Sequence, residues 1–114
     1  MKFLSIFTPD ANGAMAGPPS AEHQAAMGKL IEQSMKSGEL IMTGAVNPIS
    51  KGGGAVRKSG GNTTLLDGPF AESKEVVAGW AILQYKTRDE AIEGMKRFLQ
   101  VAGDGVCEFQ QIMD

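Results

Sequence analysis

Apolar positions along the chain fall into two rhythms. Phe3, Leu4, Ile6 and Phe7 form a short dense run, as do Leu40 to Thr43 and, most strongly, the stretch from Val76 to Tyr85. Short runs rich in β-branched and aromatic side chains, bounded by Gly and Pro, predict strands. Between the first two runs, Met27, Leu30, Ile31 and Met35 recur at helical spacing, with Ser20 placed as N-cap and Gly38 as the glycine that ends the helix. The second strand, Leu40 to Thr43, closes at Gly44. A second helix is predicted behind Thr87-Arg88-Asp89-Glu90, a capping box in which Thr87 bonds the Glu90 amide and Glu90 reaches back. Its apolar face is Ala91, Ile92, Met95, Phe98 and Leu99, Gly103 ends it, and Val106 to Met113 supplies a last strand. The Gly-rich stretch 47–62 leads into an inserted hairpin with arms at Ala55 to Lys58 and Thr63 to Leu66. Two β-α-β units with a hairpin between them predict an α+β, ferredoxin-like split β-α-β fold, one domain over residues 1–114, with both helices on one face of the sheet.

A sheet with one wet face alternates apolar and polar residues. These strands do not alternate. Val76, Ala78, Trp80 and Ile82 fall on one side of the long strand, and Val77, Ala81, Leu83 and Tyr85 on the other. The first strand repeats this, with Phe3 and Phe7 opposite Leu4 and Ile6. Two helices cover one face, so the other is expected to be covered by a second copy, giving a homodimer.

Composition narrows the field. Eleven Lys plus Arg stand against 13 Asp plus Glu, a net charge of -2 without a long run of either sign, so neither nucleic acid nor membrane is expected as a partner. The one cysteine, Cys107, makes no internal disulfide, which fits a cytoplasmic protein; it lies mid-strand and is expected to be packed rather than reactive. The opening apolar run breaks at Pro9-Asp10, too early for a signal peptide. One histidine, His23, excludes a multi-histidine metal site, and no cofactor is expected.

Leu66-Asp67-Gly68-Pro69-Phe70-Ala71-Glu72-Ser73-Lys74-Glu75, followed by Val76-Val77-Ala78-Gly79-Trp80, resembles the signature segment of the DGPF branch of the YCII-related superfamily. Lys2-Phe3-Leu4, Ala26-Met27-Gly28-Lys29, Ser37-Gly38 and Asp89-Glu90-Ala91 extend the resemblance over nearly the whole chain. The resemblance implies a ferredoxin-like fold paired into a dimeric α+β barrel. It also implies kinship with a dehalogenase that uses an acid/base His and Asp, and association of some members with sigma-factor-like regulators.

Asp67-Gly68-Pro69-Phe70 reads as a tight turn. Asp67 and Glu72, beside a strand leading into an apolar cleft, are candidates to place a carboxylate at a pocket mouth. His23 lies one turn before Met27 at the edge of the first helix's inward stripe, where Asp67 or Asp104 would have to orient it for acid/base work. The histidine of the acid/base relatives falls nearer Met27. Lys51-Gly52-Gly53-Gly54 precedes a strand-like segment, not a helix, and so reads as a hairpin loop rather than a phosphate cradle. Arg57, Lys58 and Lys74 are placed to steer a small anionic or organic-acid ligand.

Two functions follow. The first is a binding or regulatory module whose cleft takes a small ligand or a partner protein, with Phe70, Glu72 and Arg57 as contacts. The alternative is a cofactor-independent acid/base enzyme of isomerase, lyase or dehalogenase type, acting on a small organic acid or lactone through His23, Asp67 and Asp104. A cofactor-free monooxygenase rests on fold analogy alone.

Overall fold

The computed structural model describes residues 1–10, 20–69 and 77–113. In chain order these form β1 (Lys2–Pro9), α1 (Ala21–Ser37), β2 (Leu40–Val46), β3 (Ala55–Ser59), β4 (Asn62–Leu66), β5 (Ala78–Gln84), α2 (Arg88–Ala102) and β6 (Gly105–Gln111). Four strands make one antiparallel sheet in the order β2-β5-β1-β6, and β3 pairs only with β4. This is the split β-α-β arrangement expected from the sequence.

Local chemistry sets the helix ends. Ser20 accepts from the His23 amide at 3.0 Å, and Gly38 closes α1 at φ 84. Thr87 accepts from the Glu90 amide at 3.1 Å, as the capping box requires. The Glu90 carboxylate, however, reaches the Lys86 amide at 3.3 Å, one residue beyond the expected partner.

The strand registers assign the faces. Phe3 opposes Leu83 and Ser5 opposes Ala81, whereas Leu4 opposes Ile82 and Ile6 opposes Trp80. Opposed residues share a face, so Phe3, Ser5 and Phe7 look toward the helices and Leu4, Ile6, Ile82 and Trp80 look away. On the helix side, Ala91 and Met95 of α2 bury against Phe3, and Phe98 meets Phe7 edge-to-face at 5.3 Å. A second edge-to-face pair joins Phe3 and Phe109 at 6.2 Å. Burial here stabilises by about 25 cal/mol per Å² of apolar surface, with about 0.5–1.5 kcal/mol more for an aromatic pair.

Among the described residues no helix lies on the opposite face. That face presents Leu4, Ile6, Ile82 and Trp80, with Met42 and Val46 of β2 and Val106 of β6 in register beside them. Ile6 remains 42% exposed and Val106 54%. The β3–β4 hairpin leaves this face open, since all of its own residues are exposed, Val56 at 71% and Leu65 at 63%.

Gly44, expected to end the second strand, lies inside β2 opposite Trp80. A Cβ there would fall 2.7 Å from Trp80 Cζ2, so the glycine is the floor on which the indole rests. Continuing β2 through Val46 is possible because the ring supplies the side-chain surface that the glycine lacks. Gly44→Val is expected to expel the indole, shifting its fluorescence to longer wavelength and lowering stability by about 1–3 kcal/mol. Urea denaturation with the emission of Trp80, the one tryptophan, measures both.

Candidate functional site: a cavity between the first helix and the sheet

The helices meet the sheet unequally. α2 buries Ala91, Met95 and Ala102, but α1 buries no residue, and its inward side chains Met27, Leu30 and Ile31 are only half-covered. Between α1 and the sheet lies a cavity of about 450 Å³. Met27, Leu30 and Ile31 form its roof, Phe98 and Met95 one wall, and Phe7, Ala81 and Leu83 its floor. Protein interiors are close-packed, with few voids larger than a water molecule. A space of this size lined mainly by apolar side chains falls in the range of small-molecule pockets.

One end of the cavity is polar. Glu39, between α1 and β2, accepts from Tyr85 Oη at 3.2 Å and from Arg97 Nη2 at 3.5 Å, both on its Oε2. Tyr85 shares the parity of Leu83 and so points to the helix side, as its spacing from Trp80 requires. Its hydroxyl occupies the space a side chain at Gly94 would need. A mid-helix glycine costs about 1 kcal/mol relative to alanine, and here it opens the slot through which the phenol reaches Glu39. All four residues line the cavity.

Electrostatics set protonation at this end. Burial, and then the negative Glu39 that the phenol bonds, push Tyr85 above its ordinary value of 10.0, with Arg97 pulling partly the other way. Tyr85 is therefore a neutral hydroxyl throughout the physiological range. At the other side of the floor, Ser5 donates to Met95 Sδ at 3.7 Å. Burial raises the Cys107 thiol above its ordinary value, partly offset by Ser5. A half-buried thiol held in its neutral form is a poor nucleophile, in line with a packed mid-strand cysteine.

The residues singled out from the sequence do not gather here. His23 sits in the first turn of α1, where its Nε2 is buried and has no hydrogen-bond partner among the described residues. No hydrogen bond or ion pair joins it to Asp67 or Asp104. Asp67 lies exposed at the base of the hairpin beside Gly54, and Asp104 is exposed in the turn before β6, where its carbonyl accepts from the Asp10 amide at 3.1 Å. Arg57 and Lys58 are exposed on β3, and none of these residues lines the cavity. Phe70, Glu72 and Lys74 lie outside the described residues. Gly68 takes φ 117, the positive dihedral expected of the turn glycine.

Glu39, Tyr85 and Arg97 were missed because no motif joins them; they converge only once β5 is registered against β1 and β2. The clue in the sequence is Gly94, a glycine set in a run of good helix formers.

The four-stranded antiparallel sheet with two helices on one face defines the class: an α+β, ferredoxin-like fold. The YCII-related domain family matches residues 1–114, and the chain belongs to that family. It is similar over its full fold to the 5-chloro-2-hydroxyhydroquinone dehydrochlorinase of Burkholderia phenoliruptrix AC1100, solved with 2,5-dihydroxybenzoquinone: TM-score 0.54, 14% identity, 99% of this chain and 94% of that one. It is also 31% identical, over 58 residues, to an uncharacterized protein of Rhizobium meliloti (strain 1021), covering 46% of this chain and 47% of that relative's length.

Tyr85 is the one tyrosine, so its titration is readable directly. The midpoint of the phenolate absorbance is expected above the ordinary value of 10.0, and Glu39→Gln is expected to lower it by removing the adjacent charge. Because the folded value is the raised one, this group's contribution to stability is complete below pH 10.0 and declines as pH rises past it. Ultraviolet pH titration of the folded and urea-unfolded chain checks both statements.

Proposed function

We propose that the chain is a small-ligand-binding module of the DGPF branch of the YCII-related family, acting as a homodimer, with the ligand held between α1 and the sheet. The carrying observation is the apolar cavity of about 450 Å³ under a helix that buries none of its own residues. A space of that size suits a small molecule, and its occupation would give Met27, Leu30 and Ile31 the contacts they lack. The lining carries one carboxylate and one guanidinium, already adjacent, so its charge balances without a ligand. That favours an uncharged, largely apolar molecule. An organic acid would bring its charge beside Glu39, and the steering cations Arg57 and Lys58 stand on the hairpin, not in the lining.

The homodimer follows from the helix-free face. Leu4, Ile6, Trp80, Ile82 and Val106 share that face in register, and a patch of this kind on a small protein is ordinarily covered. A second copy packed through a two-fold axis covers both patches at once and yields the α+β barrel pairing.

A second reading, a cofactor-independent acid/base enzyme, is favoured by one observation. His23 Nε2 is buried without a partner among the described residues, and an imidazole nitrogen so held is available to a substrate proton. A protein of the same fold is a dehydrochlorinase, a reaction class that needs such a base. The binding reading is preferred because no carboxylate among the described residues orients His23 and the imidazole stands outside the cavity lining.

Fluorescence of the neutral dye N-phenyl-α-naphthylamine tests the cavity. The wild-type chain is expected to bind and brighten it, and Ile31→Trp, which fills the cavity, to weaken binding at least about tenfold with helical circular dichroism retained. Equal affinity in the two proteins would remove the cavity as the site. His23→Ala is expected to leave dye affinity within about twofold, and a tenfold loss would instead favour the second reading.

Light scattering tests the pairing. The wild-type particle is expected at twice the 12.0 kDa of one chain, and Ile6→Asp, which places a charge at the centre of the open face, at the mass of one chain. A wild-type monomer at micromolar concentration would end the dimer proposal.

A further inference from the structure

The polar end of the cavity carries more information than its size. Glu39 receives both of its hydrogen bonds on Oε2, so Oε1 takes none from the described residues. The Arg97 contact is long at 3.5 Å, and both side chains are partly exposed, 56% for Arg97 and 38% for Glu39. Exposed pairs of this kind add little net stability, so a ligand that reorganises this one loses little. Two other lining hydroxyls are committed elsewhere, Ser5 to Met95 Sδ at 3.7 Å and Thr43 to the Trp80 carbonyl at 2.8 Å, while Ser34 of α1 adds a neutral hydroxyl to the lining. Tyr85 donates its proton to Glu39, and Gly94 leaves free the space that its hydroxyl occupies.

The charged groups a ligand meets are therefore one anionic acceptor, Glu39, beside one cationic donor, Arg97. An alcohol or phenol oxygen both donates and accepts, and satisfies the two together. An ether only accepts. A carboxylate also only accepts, and it sets a second negative charge beside Glu39 with a single cation to share.

We propose that Glu39, with Arg97 beside it and Tyr85 holding it in place, is the specificity-determining end of the cavity, and that its ligand is an uncharged apolar molecule ending in a hydroxyl group. This rests on the cavity reading above and deepens it. The hydroxyl donates to Glu39 and accepts from Arg97, while the hydrocarbon body lies under Leu30 and Ile31. Tyr85 is a positioning residue in this arrangement, because it acts on the ligand through Glu39.

Two isomers test the assignment, since n-heptanol and hexyl methyl ether have the same atoms and differ in the O–H donor. In displacement of N-phenyl-α-naphthylamine, the alcohol is expected to act at about tenfold lower concentration than the ether, the affinity that one hydrogen bond to a charged acceptor supplies. Heptanoate is expected to be weaker than the alcohol. In Glu39→Ala the alcohol-to-ether ratio is expected to fall to about threefold or less; the readout is a ratio, so a change in dye affinity cancels. Dye binding without an alcohol advantage overturns this inference and leaves the cavity reading standing. An advantage that survives Glu39→Ala, or heptanoate displacing best, overturns it as well. Failure of the dye to bind removes the cavity reading and this inference with it. The comparison of the isomers on the wild-type chain stands even if the variant does not fold.

Discussion

The docking of α2 on the sheet is the contact on which the rest of the structure depends. Ala91 and Met95 close over Phe3, and Phe98 stands edge-on to Phe7, so this helix is pinned along its length to the central strand β1. α1 has no equivalent. Its side chains facing the sheet are Met, Leu and Ile, large enough to fill a core, yet none of them is buried. Its caps and the exposed Glu32–Lys36 pair support α1 as a helix, and its short connection to β2 limits where it can lie. The unequal docking leaves the cavity, and the cavity leaves the inner stripe of α1 short of contacts.

Gly44 and Gly94 show the same device used on opposite faces. At Gly44 the missing Cβ lets the Trp80 indole lie against β2 on the helix-free side, making a broad apolar surface from a position that would otherwise carry a small side chain. At Gly94 it lets the Tyr85 hydroxyl lie against α2 on the helix side and reach Glu39. Each glycine weakens its own element in isolation, by about 1 kcal/mol in the helix. The gain is positional: one aromatic ring is spread on the face proposed to pair with a second copy, and the other builds the polar end of the cavity.

Much of the fold was legible because it is written in local signals. Ser20, Gly38, Thr87 and Gly103 mark helix ends by capping chemistry, and the alternation of Phe3 against Leu4 and of Trp80 against Leu83 assigns faces by parity alone. The strand end at Gly44 was misplaced because a glycine reads locally as a break, and only the pairing with Trp80 makes it a floor. The site was less legible for a related reason. His23, Asp67 and Asp104 drew notice as titratable residues near turns, yet no hydrogen bond or ion pair brings them together, whereas Glu39 and Arg97 are 58 positions apart and meet through three elements. Residue type alone does not mark such a group; register does.

The two faces of the sheet then divide the work between them. The helix-free face is apolar along β1, β5 and β2, with Glu108 and Gln110 of β6 bordering Ile6 and Leu4, so its chemistry suits a flat, extended partner such as an identical sheet. The helix face is apolar with one polar corner, where charge is balanced and one carboxylate oxygen is unused by the described residues. Apolar area supplies affinity there without direction, and the corner supplies direction at modest energy. An acid/base enzyme on this scaffold would need its imidazole at that corner or a carboxylate beside His23. With neither arrangement formed among the described residues, α1 is left as a roof over a hydrocarbon-sized space whose charged corner is Glu39 with Arg97 beside it.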